Sequence, residues 1–262
     1  MRLNKLDEIR GVTLVSMILY HFLWDLVFIA GINIPWYSKA PGNIWQKSIC
    51  ITFILLSGFC FSFGSKRFKR SLQIFICGAI VTAVTLIAMP DDPVVFGVLT
   101  FIGSAGLITI PFDKLHRKLE KNMDKTKVSF NASLLMASFI LFIMCYRVNR
   151  GYLNLLFTEL YLPADLYAGY VSTFFGFMMK GFVSSDYFSI LPWYFLYLCG
   201  YFLYRISGIE EAKAAGNTNR LIDEFKDGKI KALQWLGRHS LLLYMLHQPV
   251  LYMITLLIVK IK

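Results

Sequence analysis

The chain has 262 residues, 56% of them hydrophobic and 16% aromatic, with a formal net charge of +11 and a mean hydropathy of +0.56. That hydropathy excludes an ordinary water-soluble domain. The basic excess does not imply nucleic acid, because it is distributed over the ends of apolar runs rather than gathered on one soluble face.

A membrane-crossing helix needs about 20 predominantly apolar residues. Runs of that kind, bounded by charges, prolines or glycines, predict about seven spans at residues 9–31, 44–64, 71–89, 94–112, 130–146, 187–205 and 239–259. Arg2, Lys5, Asp7, Glu8 and Arg10 precede the first or open it. This run is too long, and with Trp24, Asp25 and Phe28 too polar and aromatic, to be a cleaved signal peptide, so it is expected to be retained. PDDP at 90–93 predicts a tight turn between the third and fourth spans. His116 falls in the basic connection after the fourth span and carries no functional signal there.

Two connections are longer than turns. The outer one, about 147–186, interleaves aromatics with Gly and Ser and is expected to lie along the interface or fold back into the mouth of the helices. The other, about 206–238, mixes charges of both signs and reads as a short solvated helix that only connects. Cys50, Cys60, Cys77, Cys145 and Cys199 all fall inside expected spans, as small packing residues do. Neither a disulfide framework nor a metal motif follows from them.

Charge distribution sets the expected orientation. All but Lys39, Lys47, Arg147, Arg150, Lys180, Lys260 and Lys262 of the 27 cations fall on the side of the N-terminus, which the positive-inside rule makes cytoplasmic. The expectation is therefore an all-α polytopic transmembrane bundle with its N-terminus in the cytoplasm. It forms a single integral domain over residues 1–262, multi-pass in the cytoplasmic (inner) membrane, with its basic loops near lipid headgroups.

Ionisable groups within spans are costly and normally face a partner, a cavity or a pathway. His21 and Asp25, at i and i+4, share one helical face, where a carboxylate can orient an imidazole for general-base work. His247, in the last span, lies at comparable depth, so the two rings can share one polar cavity or simply bond across helices. Arg10 and Arg238 begin the first and last spans on one side. They either snorkel to the headgroups or hold the phosphates of an anionic ligand. Asp186, in SSDYF before the sixth span, reads as a helix cap with Ser184 or Ser185.

The ten-residue gap from Arg10 to His21 resembles the first-helix signature of transmembrane acyltransferases. LDEIRGVTLVSMILYHFLWDL, FGVLTFIG at 96–103, SSDYFSILPWYFLYLCG at 184–200 and GRHSLLLYMLHQPVLY at 237–252 together resemble a bacterial membrane family grouped with the catalytic domain of heparan-alpha-glucosaminide N-acetyltransferase. The resemblance implies transfer of an acyl group, acetyl foremost, from cytoplasmic acetyl-CoA or another acyl-CoA. The acceptor is a hydroxyl or amine reached from outside, on a sugar, an envelope glycan or a lipid-linked carrier. No metal is implied.

Under the resemblance His21 is the catalytic residue and Arg10 belongs to the donor site, while Asp186, Trp193, His247 and Gln248 occupy recurrent positions without assigned roles. Two departures stand out. Thr100 replaces a histidine common in relatives, and WYSKAPGNIW at 36–45 lacks the outer histidine of the animal enzyme, so a covalent acyl-histidine scheme does not carry over. The competing readings are a proton-coupled transporter or flippase with His21, Asp25 and His247 as a relay, and a non-catalytic membrane subunit.

Overall fold

The computed structural model describes residues 3–121, 123, 126–155 and 157–261. Its main helices are α1 Asn4–Phe28, α2 Ala40–Cys60, α3 Arg67–Ala88, α4 Val98–Glu120 and α5 Lys127–Cys145. A two-stranded antiparallel hairpin follows, β1 Tyr152–Leu155 paired with β2 Thr158–Tyr161. The remaining helices are α6 Tyr170–Phe175, α7 Ile190–Ile206, α8 Ile209–Ala214, α9 Arg220–Lys226, α10 Lys231–Arg238 and α11 Ser240–Ile261.

Among the described residues six helices are long and apolar enough to cross a membrane: α1, α2 through Phe63, α3, α4, α5 through Arg150, and α11. The expected sixth span is represented by α7, whose 17 residues reach about 25 Å, near the lower limit for a bilayer core. Burial in these helices runs opposite to that of a soluble protein. In α3 the buried residues are Ser71 and Gly78, whereas Phe68, Leu72, Ile76, Ile80, Val84 and Ile87 are exposed. Large apolar side chains outward and small residues inward is the pattern of helices solvated by lipid. The chain is a multi-pass, helical membrane protein.

The chain forms two compact units, one of residues 1–56 and 209–262 and the other of residues 57–208. In the first, Leu14, Met17 and Ile49 form a buried core with Ile18, Trp45, Phe53, Leu236 and Leu243 around it. Trp45 Nε1 donates to Ser16 Oγ at 2.7 Å, and Tyr37 OH to the Tyr20 carbonyl at 3.0 Å. Helix α10 lies against the N-terminal half of α1 at backbone contact. A Cβ on Gly237 would sit 1.9 Å from the Asp7 carbonyl oxygen, and one on Gly11 2.2 Å from that of Leu233.

The connection over 206–238 is therefore more than a solvated link. The Ile230 N–H and Gln234 Nε2 both donate to Glu8 Oε1, at 2.5 and 3.1 Å, docking α10 onto α1.

In the second unit α3 meets α4, and α5 meets α7. A Cβ on Gly78 would lie 2.5 Å from Thr100 N and Oγ1, so α3 and α4 approach at backbone contact here and position 78 must lack a side chain.

Within this otherwise all-α fold the connection over 147–186 contains the short β-hairpin and a six-residue helix. Two expectations are corrected in this unit. Helix α4 continues past the expected end at 112 to Glu120, through Pro111, because Asp113, His116 and Glu120 are buried rather than solvated. Asp186 caps a helix, but not its own: Oδ2 accepts from Val98 N at 3.1 Å, at the start of α4. Around it Ser184 Oγ accepts from Val95 N at 3.0 Å, and Phe188 N donates to the Phe96 carbonyl at 2.9 Å. The local signal for a capping residue was sound; chain reversal delivered it to a distant helix.

Gly237→Ala should force α10 off α1 and destabilise the protein by about 1–3 kcal/mol, seen as a lower unfolding temperature in detergent. Asp186→Ala should cost about 1 kcal/mol through loss of the α4 cap. Asp186→Asn, which keeps an acceptor oxygen, should recover most of that loss in the same measurement.

Candidate active site

Helix α1 carries His21 and Asp25 one turn apart, and α11 carries His247 and Gln248. Their packing brings the imidazole rings of His21 and His247 to 4.9 Å between centroids, inclined at 59°. Tyr20 meets the His21 ring edge-on at 5.9 Å. Asp25 is fully buried, and its Oδ1 accepts from Gln248 Nε2 at 2.9 Å.

The expected pairing of Asp25 with His21 is not the one formed. Although i and i+4 neighbours, they make no hydrogen bond among the described residues, and the carboxylate is claimed by Gln248. The reason is electrostatic. A carboxylate removed from water needs a hydrogen-bond donor, and a neutral imidazole offers one only in the right tautomer, whereas the Gln248 amide always does.

His247 is oriented within its own helix. Its Nδ1 lies 2.5 Å from the Tyr244 carbonyl oxygen. Asp25 Oδ2, His247 Nε2 and Gln248 Oε1 are buried and meet no hydrogen-bonding partner among the described residues. Three such atoms, on two adjacent residues of α11 and on the Asp25 that Gln248 bonds, are expensive at about 1–3 kcal/mol each, and each calls for an explanation such as a ligand or a chemical role.

At the N-terminal end of α1 the two arginines meet a common carboxylate. Arg10 Nη1 is 3.2 Å from Asp7 Oδ1, and Arg238 Nε is 3.6 Å from Asp7 Oδ2. Arg238 Nη2 also donates to Asn4 Oδ1 and Gln234 Oε1, each at 3.3 Å. The convergence of Arg10 and Arg238 was readable from their matching places at helix ends. The intervening Asp7 was not, because its sequence position suits a first-turn acid of α1 equally well.

The other two expected residues belong to the second unit. Trp193 packs on Phe188, Phe142 and Tyr146, with centroids 5.0, 5.7 and 6.4 Å away. Asp186 is the α4 cap described above.

That unit also holds a cluster that the sequence did not disclose. Asp113 takes Arg67 at 2.6 Å, Arg117 at 2.9 Å and the Tyr201 hydroxyl at 2.7 Å. Glu120 pairs with Arg205 and accepts from Asn131 Nδ2 at 2.5 Å. His116 lies between these groups, its Nδ1 3.3 Å from the Tyr201 hydroxyl. Its ring is sandwiched by Phe112 and Phe130 at 5.9 and 5.8 Å. The network ties α3, α4, α5 and α7 together, and reading α4 to its true end is the step that would have found it.

Helices solvated by lipid and a partly buried imidazole pair beside a buried carboxylate define a polytopic membrane protein with a polar centre inside its apolar spans. The chain belongs to the family described as heparan-alpha-glucosaminide N-acetyltransferase, catalytic, whose profile matches residues 2–249. Membership points to a membrane acetyltransferase. Neither the curated proteins nor the solved structures contain a match to the chain.

Gln248→Leu leaves the Asp25 carboxylate buried without a donor and should destabilise the protein by about 1.5–3 kcal/mol. Adding Asp25→Asn to Gln248→Leu should restore part of the unfolding temperature, and comparison with each single variant gives the Asp25–Gln248 coupling.

Proposed function

We propose that the protein transfers an acyl group, acetyl foremost, from acyl-CoA to a hydroxyl or amine acceptor on a sugar or envelope glycan. In this reading α7 joins the six longer helices to make seven spans, and the chain forms one integral domain in the cytoplasmic membrane. The N-terminal end of α1 faces the cytoplasm, where the donor enters, and the acceptor arrives from the other side.

The observation that carries the proposal is the imidazole pair. Two histidines 4.9 Å apart on spanning helices, beside a buried carboxylate, supply the proton acceptor that a hydroxyl or amine needs to attack a thioester. His21 corresponds to the first-helix histidine of the family and contacts the reacting groups. Holding donor and acceptor together here contributes through proximity, and removing both from water prevents simple hydrolysis.

Arg10 and Arg238 would bind the phosphates of the donor. From Arg10 to His21 is about 17 Å along the helix, a distance suited to a thioester carried on a long flexible arm. Asp7 holds both guanidiniums and would have to share them with an incoming phosphate. Asp186 and Trp193 would support the acceptor side indirectly, through the fold of the outer segment.

In detergent, His21→Ala should retain acetyl-CoA binding while turnover falls at least ~100-fold. Arg10→Ala should weaken binding, and Asp7→Asn should tighten it by relieving the competition, both read by titration calorimetry. Absence of any acyl-CoA binding, together with a protonophore-sensitive flux abolished by Asp25→Asn, would replace this reading with a transporter.

A further inference from the structure

The two imidazoles are not equivalent, and their hydrogen bonds decide which can take a proton. This inference rests on the acyl-transfer reading. A neutral histidine acts as a base only through the nitrogen that lacks a proton, and the bond at the other nitrogen determines which one that is. The Tyr244 carbonyl, 2.5 Å from His247 Nδ1, can only accept. Nδ1 therefore carries the N–H, and the lone pair resides on Nε2.

Tyr244 is three residues back on the same helix, so this constraint does not depend on a neighbouring element. Pro249 follows closely and removes one backbone donor from this turn of α11. Among the described residues His21 has ring contacts with Tyr20 and with His247 and no comparable tether.

The polar atoms left unpartnered on His247, on the adjacent Gln248 and on the Asp25 that Gln248 bonds indicate the chemistry of a ligand that would suit them. Because Gln248 Nε2 is spent on Asp25, the amide presents Oε1. The three buried, unpartnered atoms are thus His247 Nε2, Gln248 Oε1 and Asp25 Oδ2, and each is an acceptor. A thioester carbonyl, itself an acceptor, satisfies none of them. A nucleophile bearing several N–H or O–H groups satisfies all three.

We propose that His247 Nε2 is the general base for the acceptor nucleophile, and that Asp25 Oδ2 and Gln248 Oε1 bind that molecule's other N–H or O–H donors. The acceptor O–H or N–H gives its proton to Nε2 as its heavy atom bonds to the thioester carbon. Collapse of the tetrahedral intermediate breaks the C–S bond, and the departing thiolate takes the proton from Nε2. The ring ends neutral, with acylated acceptor and CoA thiol as products. His21 then acts as a contact residue beside the base.

The test uses the purified full-length protein in detergent, with acetyl-CoA as donor and glucosamine or hydroxylamine as acceptor. His247→Asn keeps an N–H donor for the Tyr244 carbonyl but has no group to take a proton. It should lower transfer to glucosamine on the order of 100-fold or more, leave the KM for acetyl-CoA unchanged and flatten the acid limb of the pH–rate profile. Hydroxylamine, nucleophilic without deprotonation, should recover at least a tenth of wild-type turnover.

His21→Asn should lower the rate yet keep the acid limb. The inference is overturned if His247→Asn keeps that limb, or if His21→Asn alone removes it. Failure of the wild-type protein to bind or turn over acetyl-CoA would instead sink the acyl-transfer reading. An independent readout is imidazole nitrogen NMR of histidine-labelled protein. It should find His247 protonated at Nδ1 and its Nε2 resonance shifted by glucosamine; a proton on Nε2 would overturn the assignment whatever the activity.

Discussion

The hydrogen bond from Gln248 to Asp25 is the constraint on which the centre of the first unit depends. A carboxylate with no exposed surface, on a helix otherwise made for lipid, is tolerable only with a donor supplied by protein. The donor comes from α11, so α1 and α11 are held in one rotational and axial register. That register sets His247 beside His21. A slip of one residue in either helix would rotate its polar groups by about 100° and leave the carboxylate facing hydrocarbon.

A second device sets the opposite end of the same helices. Gly11 and Gly237 let α1 and α10 approach at backbone distance, and this closeness places Arg238 within reach of Asp7, where Arg10 already points. Lipid offers no hydrophobic drive for helix association, so such contacts rely on small residues and satisfied polar groups. Glu8 follows the same rule by accepting from the start of α10. The two arginines are thereby held in place by protein.

The second unit is stabilised differently. Its buried ion network of Asp113, Glu120, Arg205 and His116 takes its members from α4 and α7, with Arg67 and Asn131 reaching in from α3 and α5. Networks of this kind gain little over apolar packing but are costly to break, so they specify a single arrangement of the helices. The 184–188 segment adds backbone pairing at the start of α4, where Asp186 contributes its cap.

The apolar runs determined by themselves that this is a multi-pass membrane protein and roughly where its helices lie, because span length follows directly from bilayer thickness. They also singled out Arg10, His21, Asp25, Arg238 and His247, since charged and titratable groups in or beside such runs are rare enough to stand out. Partners were a different matter. Asp25 could be assigned to His21 from i,i+4 spacing, yet it bonds to Gln248, because a hydrogen bond is chosen by the packing of helices far apart in sequence. Asp186 kept the capping chemistry its neighbours advertised but applied it to α4, and His116 was hidden in a stretch whose charges read as solvated. Local periodicity encodes which faces meet lipid; which polar groups meet one another is decided only when the helices pack.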